Sequence, residues 1–322
     1  MADDPIQSAQ ELIDAARRIA DAGRKKRVAV AAAQDVDVIE AVSQAEADGF
    51  LDGSLIGDER TIRSLAEERG ITLDNLEVIA QDDVSSAAHR AVGMAAKGDA
   101  DVVMKGFLPT SALLRTVLDK QYGLRGSGTI SHCAVLDIPG YHKMLNFTDG
   151  GMVVAPDPEQ KYQILSNAVT VARAMGLSPV KVAVSGAYHQ AVGAVAHNAS
   201  DQGLVVKRAR ENMSDIEITG PMPLDVSTSR RAAEAYGVDH PVAADADIFL
   251  VNSIEECNIT CKALINFAQA IFCGVVVGAR IPVSLVSRTD TVMNKKASLA
   301  LACVLADYYA QTGHWDKQGG AS

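Results

Sequence analysis

The sequence predicts an α/β protein of two domains, built mainly from parallel sheets flanked by helices. Three observations carry that prediction. Short apolar runs alternate with helical patterns along most of the chain, the pattern of successive βαβ units. The chain has 322 residues, enough for two such domains. Apolar residues make up 48% of it and aromatic residues only 4%, so Val, Ala, Ile and Leu fill the interior, as in sheets buried on both faces.

Ile6, Ala9, Leu12, Ile13, Ala16 and Ile19 fall at helical spacing and predict an opening amphipathic helix. Residues 28–33 read as the first strand, and Asp35 or Asp37 can cap the helix that follows. Strands over 51–56, 76–80 and 101–104 alternate with helices over 59–69 and 84–97. Residues 130–138 and 141–147 resemble a strand pair around the Pro139-Gly140 turn. A helix over 159–175, a strand over 180–184 and a helix over 200–213 come next. Strands over 216–218 and 248–251 and helices over 228–236 and 259–271 then restore the alternation. Two apolar runs, 274–277 and 281–286, precede a last helical pattern that reaches almost to the end.

The formal charge of −10 argues against a nucleic-acid or anionic-membrane surface, but leaves room for phosphate ligands held locally by Arg, Lys and backbone N–H groups. No segment approaches 18 continuous apolar residues, so no transmembrane helix is expected. The opening MADDPIQSAQ lacks the basic and apolar regions of a signal peptide. The cysteines at 133, 257, 261, 273 and 303 form no Cys-x-x-Cys pair and lie mostly in apolar runs. They read as reduced, mostly buried thiols of a cytoplasmic protein. Cys257 and Cys261 stand one helical turn apart, but no second pair completes a soft-metal site, and no metal is expected.

Three stretches carry candidate chemistry. Lys105-Gly106 ends a predicted strand, and Pro109-Thr110-Ser111 opens the next helix, which suits an anion site. The same residues also serve as an ordinary turn and cap, and the spacing is not that of a P-loop. The loop 123–128 has three glycines that leave backbone N–H groups free to approach a phosphate, although Ser131 spoils a dinucleotide fingerprint. The third stretch, 273–296, places Ser287-Arg288-Thr289-Asp290-Thr291 between an apolar run and a helix. It offers hydroxyls, a fixed cation and a carboxylate within five residues, or simply a helix cap from Thr289, Asp290 or Thr291. His132 and His142 fall in the predicted strand pair and suit structural hydrogen bonds better than base catalysis.

Several blocks in order resemble the phosphate acetyl/butyryl transferase family, and most closely its butyryl branch. They are VAVAAAQDVDVIEAV at 28–42, DVVMKGFLPTSALLRTVLDK at 101–120, YGLRGSGTISHCAVLDIP at 122–139, SNAVTVARAMG at 166–176, GPMPLD at 220–225, ADIFLVNSIEECNITCKAL at 246–264 and SRTDT at 287–291. The resemblance implies two α/β domains with a cleft between them, an architecture shared with isocitrate and isopropylmalate dehydrogenases. The domains are expected at 1–139 with 295–322, and at 140–294. It implies the reversible reaction acyl-CoA plus phosphate to acyl phosphate plus CoA, with coenzyme A as substrate and no tightly bound cofactor. It also implies a homodimer or larger homo-oligomer.

In that reading Arg288 stabilises the tetrahedral intermediate and the departing phosphate, Ser287 is a positioning hydroxyl, and Asp290 is a base or an orienting group. Lys105, Thr110, Arg115, Arg125, Ser127, His132 and Asn258 are the expected substrate-binding residues. This chain departs from the family pattern at several of these blocks. The position seven residues past the serine, where similar enzymes carry the proposed aspartate base, is Asn294. Cys257 stands where a small residue is usual, Thr289 where glycine or alanine is usual, and Ser185-Gly186-Ala187-Tyr188 where a glutamate often follows the strand. Two other readings follow from these departures and from the architecture. One is a non-catalytic or assembly-dependent relative that binds CoA or an acyl phosphate. The other is a dehydrogenase, against which stand the missing dinucleotide fingerprint and the missing carboxylate cluster for a divalent metal.

Overall fold

Aspartates start the helices of the first third. Asp35 accepts hydrogen bonds from the N–H groups of Asp37 and Val38, both at 3.1 Å. Asp58 accepts from Thr61 N at 2.6 Å and Asp83 from Ser86 N at 2.7 Å. Each carboxylate satisfies amide donors that a helix start leaves unpaired, and its charge suits the positive end of the helix dipole. Gly70 and Gly98 close two of these helices in the left-handed conformation, at φ +68° and +77°. The helices are therefore bounded by local chemistry, and the strands between them follow.

The computed structural model describes residues 4–126, 128–186 and 200–315. Contacts divide the chain into two compact units, each built from separated segments. One contains Ala9–Ser127 and Ile271–Ser322; the other contains Met1–Ser8 and Gly128–Ala270. The sequence suggests crossings at 139/140 and 294/295, whereas these units meet at 127/128 and 270/271. The reason is a long-range strand pairing. Val283 and Ser284 lie parallel to Val103 and Met104, so the stretch after residue 270 belongs with the first strands.

The Ala9–Ser127/Ile271–Ser322 unit contains α1 (Ala9–Ile19), β1 (Lys26–Ala31), α2 (Val36–Ala47), β2 (Leu51–Gly57), α3 (Glu59–Arg69) and β3 (Glu77–Ala80). It continues with α4 (Val84–Lys97), β4 (Val102–Lys105) and α5 (Thr110–Val117). Its strands lie in the order β3-β2-β1-β4, followed by the β11 and β10 strands of the returning segment. β1 to β4 and β11 (Val283–Ser284) run parallel, and β10 (Ile271–Val277) runs antiparallel to β11. The predicted strand over 281–286 is thus shorter than its apolar run. The last helix, Val292–Thr312, packs against α1, α2 and β10. Its residues Ala297 to Ala306 are all buried, with no solvent face over that stretch.

The other unit contains β5 (Ser131–Asp137), β6 (Met144–Thr148), α6 (Pro158–Ala174), β7 (Val180–Ser185), α7 (Asp201–Asn212) and β8 (Ile216–Met222). The predicted helix over 228–236 is two short helices, α8 (Leu224–Thr228) and α9 (Arg230–Ala235), meeting at Ser229. β9 (Ile248–Leu250) and α10 (Ile254–Ala268) complete the unit, and the final helix of the chain is α11 (Val292–Thr312). The strand order is β5-β6-β9-β7-β8, with β5 and β6 antiparallel, as Pro139-Gly140 predicts, and the rest parallel.

The strand starts of this unit are tied by ions. Lys143 Nζ lies 2.8 Å from Asp245 Oδ1 and 2.6 Å from Asp247 Oδ1. His142 Nε2 meets Asp245 at 2.7 Å, and Lys181 Nζ also bonds this carboxylate. His142 thus has the structural partner that its sequence position suggests. Burial alone pushes the Asp245 carboxyl up, but Lys143, Lys181 and His142 outweigh it and hold the group well below the usual carboxylate range. A carboxylate whose folded pKa lies below its unfolded value, ~3.9, stabilises the fold fully above about pH 5. That stability is lost as pH falls through the acid range. Urea unfolding at pH 7 and at pH 3 is therefore expected to show a smaller acid loss for Asp245→Asn than for the wild-type chain. Equal losses would assign the acid sensitivity to other groups.

All five cysteines are free and buried. Burial pushes the Cys133 and Cys303 thiols up to about 12, the behaviour of inert core thiols. Among the described residues no cluster of His, Cys, Asp or Glu has the makeup of a metal site, and no helix is long and apolar enough to cross a membrane.

Candidate active site

Parallel α/β sheets place ligands beyond the carboxyl ends of their strands. In the unit of β1 to β4, that edge is formed by the turns after β1, β4 and β11. The turn after β4 is fitted tightly to the turn after β1. Gly106 N donates to Ala31 O at 2.9 Å, and Phe107 N donates to Ala32 O at 2.6 Å. A Cβ on Gly106 would collide with Ala32 O and come within 2.7 Å of Ala31 O, so only glycine allows this approach. Lys105, the last residue of β4, is therefore held at a fixed place. It is 5% exposed, and its Nζ donates to Gly106 O at 3.2 Å.

The turn after β11 carries the SRTDT motif. Thr291 is the cap of α11, accepting from Asn294 N at 3.1 Å; Thr289 and Asp290 do not take that role. The Asp290 carboxylate instead accepts the Ser287 N–H at 2.6 Å, while Asp290 N donates to Ser287 O at 3.2 Å. These bonds close the turn on itself. Asp290 is 4% exposed, so its carboxylate lies beneath the turn. Ser287 Oγ and Thr289 Oγ1 are 3.2 Å apart. The Arg288 side chain leaves the turn exposed, and its guanidinium carbon sits 4.9 Å from the centre of the Phe107 ring. The turns after β4 and β11 thus bring Lys105 and Arg288 to one edge.

A second lysine lies underneath. Lys295 is 0% exposed, in the first turn of α11. Its Nζ donates to Asp290 O and stands 3.8 Å from Asp37 Oδ2. A buried cation near a helix N-terminus is unfavourable in itself, so its partners must hold it. Lys105 registers this crowding. Burial lowers its pKa, and the nearby Arg288 and Lys295 lower it further, against Asp35 and Asp290. The edge therefore gathers Lys105, Arg288 and Lys295, with Asp35, Asp37 and Asp290 as the carboxylates near them, and Asp290 is already engaged by the Ser287 N–H. Such a site can hold an oxyanion and stabilise charge that develops on it.

Asn294 does not face this edge as a base would. Its Oδ1 accepts the Phe272 N–H at 3.2 Å, and it is 4% exposed. Its oxygen is committed to the Phe272 amide of β10.

The remaining expected residues scatter. Thr110 is the first residue of α5, whose cap is Pro109, and so follows the Lys105 turn closely. Arg115 is exposed further along that helix. Arg125 lies elsewhere: its backbone bridges to Ala279, and Arg280 N donates to Leu124 O at 2.8 Å. Residues 279–280 precede β11, so Arg125 sits at the opposite strand ends from Lys105 and Arg288. The glycine loop is not open to a ligand at Gly126, where a Cβ would meet Gly278 O and the Trp315 ring at 2.8 Å. Its missing side chain serves packing. Ser127 and Tyr188 lie outside the described residues.

His132 and Asn258 belong to the other unit. His132 is a buried residue of β5, with its ring against Gly150 and its N–H donated to Asp149 Oδ1 at 2.9 Å. Asn258 is exposed inside α10, because that helix starts at Ile254 rather than at 259. Ser253 caps it, accepting from Glu256 N at 3.3 Å, and the S-x-x-E spacing of a capping box was present in the sequence. Sequence reasoning also missed a polar cluster at the carboxyl ends of β7 and β9. Glu256 accepts from Ser185 Oγ and, at 2.8 Å, from Asn252 N. Asn252 Oδ1 accepts from Lys161 Nζ at 3.2 Å and from Gln202 at 3.0 Å. Thus Ser185, where a glutamate is common, faces a carboxylate supplied from α10.

Comparison with known proteins gives the family. The family described as phosphate acetyl/butaryl transferase matches residues 77–303. A phosphate butyryltransferase of Clostridium acetobutylicum is 37% identical over 282 residues, covering 87% of this chain and 93% of that protein. A phosphate acetyltransferase of Thermotoga maritima is 35% identical over 297 residues, covering 92% of this chain and 99% of that protein. The crystal structure of a branched-chain phosphotransacylase from Enterococcus faecalis V583 superposes with a TM-score of 0.74 at 26% identity, covering 87% of this chain and 99% of that one. The match spans β3 to α11 and includes the turns that carry Lys105 and Arg288, so the chain belongs to the phosphate acetyl/butaryl transferase family.

Proposed function

We propose that the protein is an acyltransferase that moves a short acyl group, of butyryl or acetyl type, reversibly between coenzyme A and inorganic phosphate. The observation that carries this reading is the cationic edge of Lys105 and Arg288, in a chain of this family. In the direction of thioester formation, the CoA sulfur attacks the carbonyl carbon of the acyl phosphate. The carbonyl oxygen becomes an oxyanion, the carbon–oxygen bond to phosphate breaks, and the thiol proton ends on the released phosphate. Negative charge thus grows on the carbonyl oxygen and then on the leaving group. Arg288 neutralises that charge, Lys105 adds a fixed cation beside it, and Ser287 offers a hydroxyl to position the phosphate. Asp290 orients the turn through the Ser287 N–H rather than acting as base.

The same reading takes the two compact units as the two α/β domains of an isocitrate/isopropylmalate dehydrogenase-like architecture. It takes coenzyme A as a substrate rather than a resident group, and the protein as a cytoplasmic homo-oligomer.

The test is direct. Purified protein is incubated with butyryl-, propionyl- or acetyl-CoA, with and without phosphate, and free thiol is followed with a chromogenic disulfide. Because all five protein thiols are buried, the signal reports released CoA. Release that requires phosphate is the expected result. Release independent of phosphate would make the protein a thioesterase, and binding of CoA without release would make it a non-catalytic relative.

A further inference from the structure

Phe107 is an unusual residue for its place. It is 47% exposed, whereas Phe50 and Phe272 of the same unit are buried. Six large hydrophobic side chains are exposed among the described residues: Phe107, Val154, Leu204, Tyr236, Ile259 and Phe267. Phe107 alone belongs to the Ala9–Ser127/Ile271–Ser322 unit. It stands two residues after Lys105, at the edge where Arg288 projects. Its backbone is pinned, with Phe107 N donating to Ala32 O at 2.6 Å and Leu108 N donating to Gly106 O at 3.0 Å. The ring is therefore presented from a rigid turn and not from a mobile loop.

The ring has a fixed relation to the charged edge. Arg288 stacks over it at 4.9 Å, and the solvent-exposed remainder of the side chain is apolar surface bordering the guanidinium. In the proposed reaction, the atom that gains charge is the carbonyl oxygen, and Arg288 is the group placed to neutralise it. A short acyl chain begins one bond from that carbonyl carbon. Whatever surface borders the guanidinium is thus within reach of the chain's first methylene groups. On this unit, Phe107 is the large apolar side chain exposed there.

We infer that Phe107 is a specificity-determining residue: its ring receives the acyl chain of the substrate while seating Arg288, so that the protein favours four-carbon over two-carbon acyl groups. The inference rests on the proposed transferase reading and deepens it. A methyl group offers the ring little area to cover, whereas a butyryl chain covers more of it. One methylene in a hydrophobic pocket is worth about ten- to two-hundredfold in kcat/KM, and a half-exposed ring supplies the lower end of that range.

The experiment compares wild-type protein with Phe107→Ala and Phe107→Leu, using acetyl-, propionyl- and butyryl-CoA with phosphate and following thiol release. The expected result is a loss in kcat/KM that grows with chain length, with butyryl-CoA losing about tenfold more than acetyl-CoA in Phe107→Ala. Phe107→Leu keeps an apolar surface and recovers part of the butyryl preference, which also covers the case in which the alanine variant fails to fold. An equal loss on all three substrates would overturn the inference, because the ring would then only seat Arg288. Unchanged kinetics would overturn it as well. If wild-type protein shows no phosphate-dependent release on any substrate, the transferase reading itself fails, and that outcome is separate from the chain-length pattern.

Discussion

Replacing Arg288 with alanine is expected to lower kcat by about 10²- to 10³-fold, the usual cost of removing a group that stabilises a developing oxyanion. Arg288 is exposed, and its contact with Phe107 lies at the surface, so the fold is expected to survive. Circular dichroism and thermal unfolding would then match the wild-type protein. Arg288→Lys sharpens the test. It keeps a charge but loses the planar fork that can bind two oxygens at once and stack on a ring. Its kcat is expected between those of the wild-type and alanine proteins. Wild-type turnover in Arg288→Ala would remove this residue from the chemistry and leave Lys105 as the remaining cation of the edge.

Asp290→Ala is expected to have the next largest effect, a drop of about 10²-fold in kcat, because the Ser287–Arg288 backbone loses the bond that fixes it. The carboxylate accepts the Ser287 N–H at 2.6 Å, and a methyl group cannot replace that acceptor. Asparagine can, since its amide oxygen accepts the same N–H. Asp290→Asn is therefore expected to keep turnover within about tenfold of wild type, with the shape of the pH–rate profile retained. If Asp290 took the thiol proton, Asp290→Asn would be as damaged as the alanine variant, and one limb of the profile would vanish. The comparison of the two variants separates an orienting carboxylate from a basic one, where either variant alone would not.

Much of the local architecture was legible because it is written in adjacent residues. Asp35 marks the start of α2 and Pro139-Gly140 the β5–β6 turn, and Asp58, Asp83, Gly70 and Gly98, not singled out in the sequence, carry the same kind of local signal for α3 and α4. The placement of α10 was missed although Ser253 and Glu256 carried a local signal for it. Other features depend on pairings between distant segments. Nothing near Val283 says that it will lie beside Val103. The Lys105, Gly106 and SRTDT elements could be named as site components from their residue types. Their convergence could not, nor could the separation of Arg125 to the other strand ends. Lys295 and Phe107 carried no motif of their own. A lysine in an alanine-rich helix and a phenylalanine after Gly106 gain meaning only from what packs around them.

The segmented construction of the Arg288-bearing unit also sets a timetable for synthesis. β4 ends at Lys105, but β11, its parallel neighbour, begins only at Val283. On a ribosome adding about 5–20 residues per second, the open edge of β4 waits on the order of 10–40 s for that neighbour. An unpaired strand edge of Val102, Val103 and Met104 is a template for pairing with another nascent chain. Chains released before β11 therefore lack both the protection of that edge and the turn that carries Arg288. Aggregation and inactivity of such fragments would share one origin, the late arrival of β11.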